Sequence, residues 1–177
     1  MMRRWMRNGF TLVEMLAVTA IISSLSGSGG YTAVLDKARE TACLVQLKQV
    51  YQALVMFDID HDGLPTALLF PRKEYKSRDP QSLANVLRPY LGGGGVLLCT
   101  GAGPELKAYG ISYAWNSNLN GLSLEGLQNP SQVPLLIDAN ALAGKPAHRD
   151  GWNILYADGI VRFTNQKPNW RATDQPR

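Results

Sequence analysis

The sequence predicts an α+β protein, with a long N-terminal helix packed on a small, mainly antiparallel β-sheet. Three observations lead there. An apolar run over residues 10–25 is followed by a stretch in which Cys43, Leu47, Val50, Leu54 and Phe57 recur at steps of four, three, four and three, the spacing of one helix face. The C-terminal half instead holds apolar runs of strand length. Two of these flank Asp158-Gly159, a two-residue hairpin signal of the type I′ kind.

The 177 residues suit one modest domain with an extension. Residues 1–9 form a polar leader with Arg3, Arg4 and Arg7 and no acidic group. The apolar run then begins abruptly, interrupted early by Thr11 and Glu14. A secretory signal is cut after its apolar core. Here the small residue, Gly9, precedes the core, so the expected cut falls between Gly9 and Phe10 and leaves the apolar segment on the mature chain. Of 18 basic residues three lie in the leader, leaving 15 against 14 acidic ones. A mature chain so close to neutral offers no electrostatic case for nucleic acid. Arginines ahead of an apolar segment keep that end cytoplasmic, which puts the rest across the membrane in an oxidising compartment.

Residues 10–25 make about 24 Å of helix, short of a hydrocarbon core of about 30 Å. Continuation through residues 31–35 supplies the difference, across the break Ser26-Gly27-Ser28-Gly29-Gly30, where each glycine costs up to about 1 kcal/mol in a helix interior. Residues 10–57, taken as one interrupted helix, span about 70 Å. Asp62-Gly63 and Pro65 should end it. Beyond lie an expected short helix over 80–88 with Pro80 in its first turn, a glycine link over 92–95, and a strand over 108–115. A helical turn is expected over 123–127, and strands over 133–137, 152–156 and 160–163. Residues 1–9 are thus read as leader, 10–35 as membrane or filament-core helix, and 36–177 as the globular domain with the amphipathic helix half.

The candidate chemistry is sparse. Glu14 is a lone carboxylate in an apolar segment, where an unpaired charge costs about 2.5 kcal/mol or more; it needs a cation. Cys43 and Cys99 allow one disulfide, which spacing alone does not establish. Without a C-x-x-C or paired histidines they do not read as a zinc site. Asp58, Asp60, Asp62 and Gly63 spell the first half of a calcium loop, but Leu69 stands where the bidentate glutamate belongs. Solvated aspartates at a helix end are the plainer reading, and calcium is at most a weak candidate. His148 with a neighbouring aspartate raises a hydrolase or metal reading. No nucleophile elbow, H-E-x-x-H or phosphate loop accompanies it, so His148 is expected to be a hydrogen-bonding partner near Asp150 or the hairpin.

The junction Gly9-Phe10-Thr11-Leu12-Val13-Glu14 closely resembles the type IV prepilin signature. His148, nine residues, and Asp158-Gly159 are similar to the C-terminal H-x9-D-G element of a group of pilin-like proteins. Residues 66–107 carry little of either resemblance. It implies a pilin-like fold, cleavage by a prepilin peptidase between Gly9 and Phe10, and methylation of the new Phe10 amine. Glu14 would pair with the N-terminal amine of a neighbouring subunit. Implied partners are other pilin or pseudopilin subunits, a platform protein and a cytoplasmic ATPase of a type II secretion or type IV pilus machine. The implied location is the inner membrane, single-pass, with a periplasmic C-terminal domain. Major pseudopilins hold calcium in a late loop; Asp138 and Asp150 lie in comparable positions, but no ligand is carried over. The rival is a membrane-tethered adhesin or binding module presenting Trp115, Trp152 and Trp170. No enzymatic activity is expected.

Overall fold

The computed structural model describes residues 11–26, 30–93, 95–148 and 150–166. It is a long N-terminal helix followed by a small four-stranded antiparallel sheet. The chain divides into two compact units, Met1–Lys37 and Ala38–Arg177. The first unit contains α1 (Leu12–Ser26) and the start of α2 (Gly30–His61). Residues 27–29, the centre of the expected glycine break, lie outside the described residues, as do 1–10.

In α1 the first turn is closed by its own side chains. Thr11 Oγ1 accepts from the Glu14 N–H at 3.3 Å, and Glu14 Oε2 accepts from the Thr11 N–H at 2.8 Å and its hydroxyl at 2.9 Å. This is a capping box, T-x-x-E, which satisfies helix donors that have no intrahelical partner. Thr19 and Ser23 return their hydroxyls to the Met15 and Thr19 carbonyls at 3.0 and 2.7 Å. The apolar side chains cover every face: Leu12 is 79% exposed, and Val13, Met15, Leu16, Ile21 and Ile22 are also exposed. Among the described residues no helix is long and apolar enough to cross a membrane; the 15 residues of α1 span about 22 Å.

The second unit is organised by the other part of α2. Cys43, Leu47, Val50 and Leu54 are fully buried, and Phe57 is half-buried, stacked on His61 with ring centroids 4.0 Å apart. The helix ends through Asp62, which takes a left-handed φ of 53°, and the Gly63 N–H returns to the Asp58 carbonyl at 3.2 Å, the Schellman pattern. The sheet is a meander in chain order: β1 (Tyr113–Trp115), β2 (Pro134–Asp138), β3 (Trp152–Tyr156) and β4 (Val161–Thr164). Side chains alternate between its faces. Tyr113, Trp115, Leu136 and Leu155 share one buried cluster with the α2 stripe, while Ala114, Ile137, Trp152 and Ile154 form another. A register shift between Pro134 and Leu136 lets Leu135 and Leu136 both join the first cluster.

Several elements differ from expectation. The helix expected over 80–88 is α3 (Leu83–Val86), capped by the Ser82 hydroxyl on the Asn85 N–H, with a 3₁₀ turn Arg88–Tyr90 after it. Pro80 lies outside because Asp79 is already engaged: its carboxylate takes the Arg72 guanidinium in a two-bond fork at 2.8 and 2.9 Å, plus the Arg72 and Gln81 N–H groups. A further one-turn helix, α4 (Pro104–Lys107), precedes the sheet. Strand β1 is shorter than the predicted 108–115 because Gly110 turns with a φ of 69°.

The hairpin is not type I′, which needs positive φ at both central residues. Only Gly159 has it, at 76°. The Gly159 N–H bonds the Tyr156 carbonyl at 2.9 Å and the Tyr156 N–H bonds the Ile160 carbonyl at 3.0 Å. The loop is therefore Ala157-Asp158-Gly159, a type I turn closed by a glycine bulge. Asp158 stays with negative φ and uses its carboxylate on the Ile160 N–H and on Arg162.

Candidate functional site

Two places carry chemistry. One is the start of the chain. Gly9 and Phe10, where processing is expected, lie outside the described residues. Glu14 is described, exposed, and held by Thr11. The T-x-x-E pattern was in the sequence, and it gives the carboxylate a partner within its own helix.

The other is buried in the second unit beside α2. Cys43 and Cys99 form a disulfide, with Cα atoms 5.2 Å apart and a separation of 56 positions in sequence. Cys43 reaches it from the buried stripe of α2. Cys99 comes from the turn before α4, where its N–H donates to the Ser112 hydroxyl at 2.6 Å. His148 arrives from a tight turn in which His148 and Gly151 bridge through two backbone bonds of 2.8 and 3.2 Å. Gly151 lies so close to the Thr164 backbone that a Cβ would collide with it. The turn points the ring inward: His148 Nε2 is 3.2 Å from Cys99 Sγ and 3.9 Å from Asp138 Oδ2.

Asp138 is the last residue of β2 and is buried, not a loop residue as expected for a calcium ligand. Asp150, the other aspartate of that comparison, is exposed. Asp138 Oδ2 accepts the Asn153 N–H at 2.6 Å, while Oδ1 has no hydrogen-bond partner among the described residues. Burial pushes this carboxyl up to about 7, against the Asn153 hydrogen bond, which lowers it. Tyr113 stands opposite Asp138 in the β1–β2 register. Its hydroxyl and both amide atoms of Asn153 are likewise buried without partners among the described residues. Burial first, and the nearby Asp138 charge second, raise the Tyr113 phenol above its ordinary range. Most buried polar atoms in proteins are satisfied, and these four atoms are exceptions among the described residues.

The remaining sequence candidates are dispersed. Asp58 accepts from the Leu124 N–H at 3.3 Å and Asp60 from the Tyr90 hydroxyl at 3.0 Å. Among the described residues the ligand atoms of Asp58, Asp60 and Asp62 do not form a converging set. Asp158 and Gly159 build the hairpin loop. Among the described residues the tryptophans expected to form a binding surface are not exposed: Trp115 and Trp152 are buried, Trp115 donating to Asn120 at 2.8 Å and Trp152 to the Lys145 carbonyl at 2.7 Å. Trp170 lies outside the described residues. The grouping of Cys43, Cys99 and His148 was not legible, because the histidine is 49 residues from the nearer cysteine.

Residues 6–29 match the family model described as the prokaryotic N-terminal methylation motif. No curated protein and no solved structure matches the chain. The N-terminal similarity supports a type IV pilin-like or pseudopilin-type protein.

Proposed function

We propose that this chain is a structural subunit of a type II secretion pseudopilus or a type IV pilus-like filament, not an enzyme. The observation that carries the reading is the methylation motif over residues 6–29, which contains Gly9, Phe10 and Glu14 in register. In this reading a prepilin peptidase cuts between Gly9 and Phe10 and methylates the Phe10 amine. Residues 10–35 then hold the subunit in the inner membrane and later in the filament core, with residues 36–177 on the periplasmic side. A platform protein and a cytoplasmic ATPase drive assembly.

The physical support comes from α1. A helix apolar on every face needs lipid or other helices around it. Its described polar side chains, Thr11, Glu14, Thr19 and Ser23, are all satisfied within the helix, as a low-dielectric surrounding requires. Glu14 is the exception in charge: in an assembled core it gains a cation when the amine of the next subunit's residue 10 approaches. The capping box preserves it until then.

Intact-mass measurement of the protein, produced with an active prepilin peptidase, tests the reading. Loss of residues 1–9 and one added methyl group are expected; a retained Met1 start overturns it. Glu14→Ala should leave cleavage and membrane insertion in place and abolish incorporation into filaments, scored by shearing and immunoblotting.

A further inference from the structure

We propose that Cys43, Cys99 and His148 form a zinc site, with Asp138 beside the histidine, that is masked by the Cys43–Cys99 disulfide and exposed by its reduction. The inference concerns the globular unit and goes beyond the filament reading, which needs none of these residues.

The donor set is the first ground. Two thiolates and an imidazole are a ligand combination that zinc accepts in tetrahedral geometry, with the fourth position open. Cys43 Sγ, Cys99 Sγ and a ring nitrogen of His148 all lie within 4.8 Å of one another. Zn–S bonds of about 2.3 Å and a Zn–N bond of about 2.0 Å set the S···N edge of a tetrahedron at about 3.5 Å. The observed Cys99 Sγ to His148 Nε2 distance is 3.2 Å, and Asp138 Oδ2 lies 3.9 Å from the same nitrogen. Nε2 therefore faces a sulfur across a distance that suits shared coordination, and the Asp138 carboxylate borders the same nitrogen without joining the group of ligand atoms. The two sulfurs must separate from bonding distance to an edge of about 3.8 Å, a shift that cysteine rotamers accommodate.

The second ground is the unpaid polar burial. Cys99, His148 and Asp138 are all at least nine-tenths buried, and Asp138 Oδ1 has no hydrogen-bond partner among the described residues. A buried carboxylate oxygen without a protein partner calls for an explanation, and an ion bound beside it is one. Access is short: Thr100 and Gly101, next to Cys99, are exposed. A Cβ at Gly101 would sit 3.3 Å from the His148 ring, so the missing side chain leaves the approach to the imidazole open.

The chemistry balances with a dithiol reductant. Two electrons and two protons pass from the dithiol to the Cys43–Cys99 bond, which breaks to two thiols while the reductant becomes a disulfide. Zinc then replaces the two thiol protons, which leave to solvent, and forms two Zn–S bonds. An added disulfide reverses the exchange: it takes two electrons from the two thiolates and two protons from solvent and becomes a dithiol, while the Cys43–Cys99 bond reforms and Zn2+ is released. The site is thus either covalently closed or metal-held.

The test uses the full chain in detergent, reduced with a dithiol, desalted without oxygen, and titrated with cobalt(II) and then zinc(II). One equivalent of cobalt should produce the visible bands of a tetrahedral ion and a near-ultraviolet thiolate charge-transfer band, and zinc should bleach them. Oxidised protein should take up none. His148→Ala should abolish saturable binding or weaken it more than tenfold, and Asp138→Asn should weaken it about tenfold. Absence of the charge-transfer band in reduced wild type, or equal affinity in His148→Ala, overturns the proposal. If reduction loosens the fold, near-ultraviolet circular dichroism decides: recovery on adding zinc supports the site, and no recovery overturns it. Glu14→Ala should bind as wild type.

Discussion

Replacing both Cys43 and Cys99 by alanine should cost the globular unit about 4 kcal/mol, and the figure follows from the covalent loop. The bond joins residues 56 apart, and closing a loop of that length removes about 14 cal/mol/K of denatured-state entropy, or about 4 kcal/mol at 25 °C. Alanine at two buried positions adds a small cavity term of the same sign. The assay is urea unfolding of wild type and double variant, followed by tryptophan fluorescence, in buffer with a chelator and without reductant. With a slope of about 2 kcal/mol/M, the midpoint should fall by about 2 M. The slope should also rise in the variant, because an uncrosslinked denatured chain expands further and exposes more surface. Trp115 and Trp152 are buried on opposite faces of the sheet, so their emission reports on the whole unit. A midpoint shift below about 0.5 M would refute the reasoning: the denatured chain would then already hold residues 43 and 99 together, or the crosslink would strain the native state by as much as it constrains the unfolded one.

Other outcomes follow from the same structure. Gly159→Ala should destabilise by at least about 1–2 kcal/mol from its left-handed backbone alone, and more because a Cβ there falls 2.7 Å from the Tyr51 ring. A double-mutant cycle with Tyr51→Ala separates the two costs, and a loss under 0.5 kcal/mol or so contradicts the turn assignment. Asp79 is held well below the usual carboxylate range, chiefly by the Arg72 fork. Its contribution is therefore complete above the ordinary carboxylate pKa near 4 and declines as pH falls below it, since the unfolded chain takes up the proton first. Asp79→Asn should flatten the acid limb of the stability curve; an unchanged limb contradicts the pairing. Thr11→Ala should fray the first turn of α1 while leaving Glu14 in place, so filament incorporation should persist where Glu14→Ala abolishes it.

What could be read in advance had a local cause. The α2 stripe was legible because each buried position lies three or four residues from the next. Strands β2 and β3 were legible because their apolar runs are bounded by turn residues. The hairpin was located correctly, but its type was not. A D-G pair fits both a two-residue loop and a glycine-bulged three-residue loop, and the choice rests on Asp158 capping the Ile160 N–H and pairing with Arg162. The 66–107 region was nearly silent. Its order comes from side chains reaching backbone groups at irregular intervals, as Asp79 does with Arg72 and Gln81, and such contacts have no period. The tryptophans misled because their ring N–H groups found partners, Asn120 and the Lys145 carbonyl, which allowed the rings inside. The polar centre around His148 was invisible for a topological reason. Its members come from α2, from the turn before α4, from the end of β2 and from the turn before β3, and only the folded sheet brings them together.

The tie between Cys43 and Cys99 also has a mechanical meaning. A load applied through the N-terminal rod reaches Cys43, and there it divides between the peptide chain of residues 44–98 and a single sulfur–sulfur link. The short route is far stiffer, so the tension passes straight to the turn beside β1. The lower part of α2 is shielded and cannot be peeled from the sheet one turn at a time. When the chain is pulled from its N-terminus, the segment of α2 beyond Cys43 is bypassed, and the globular unit yields as a block.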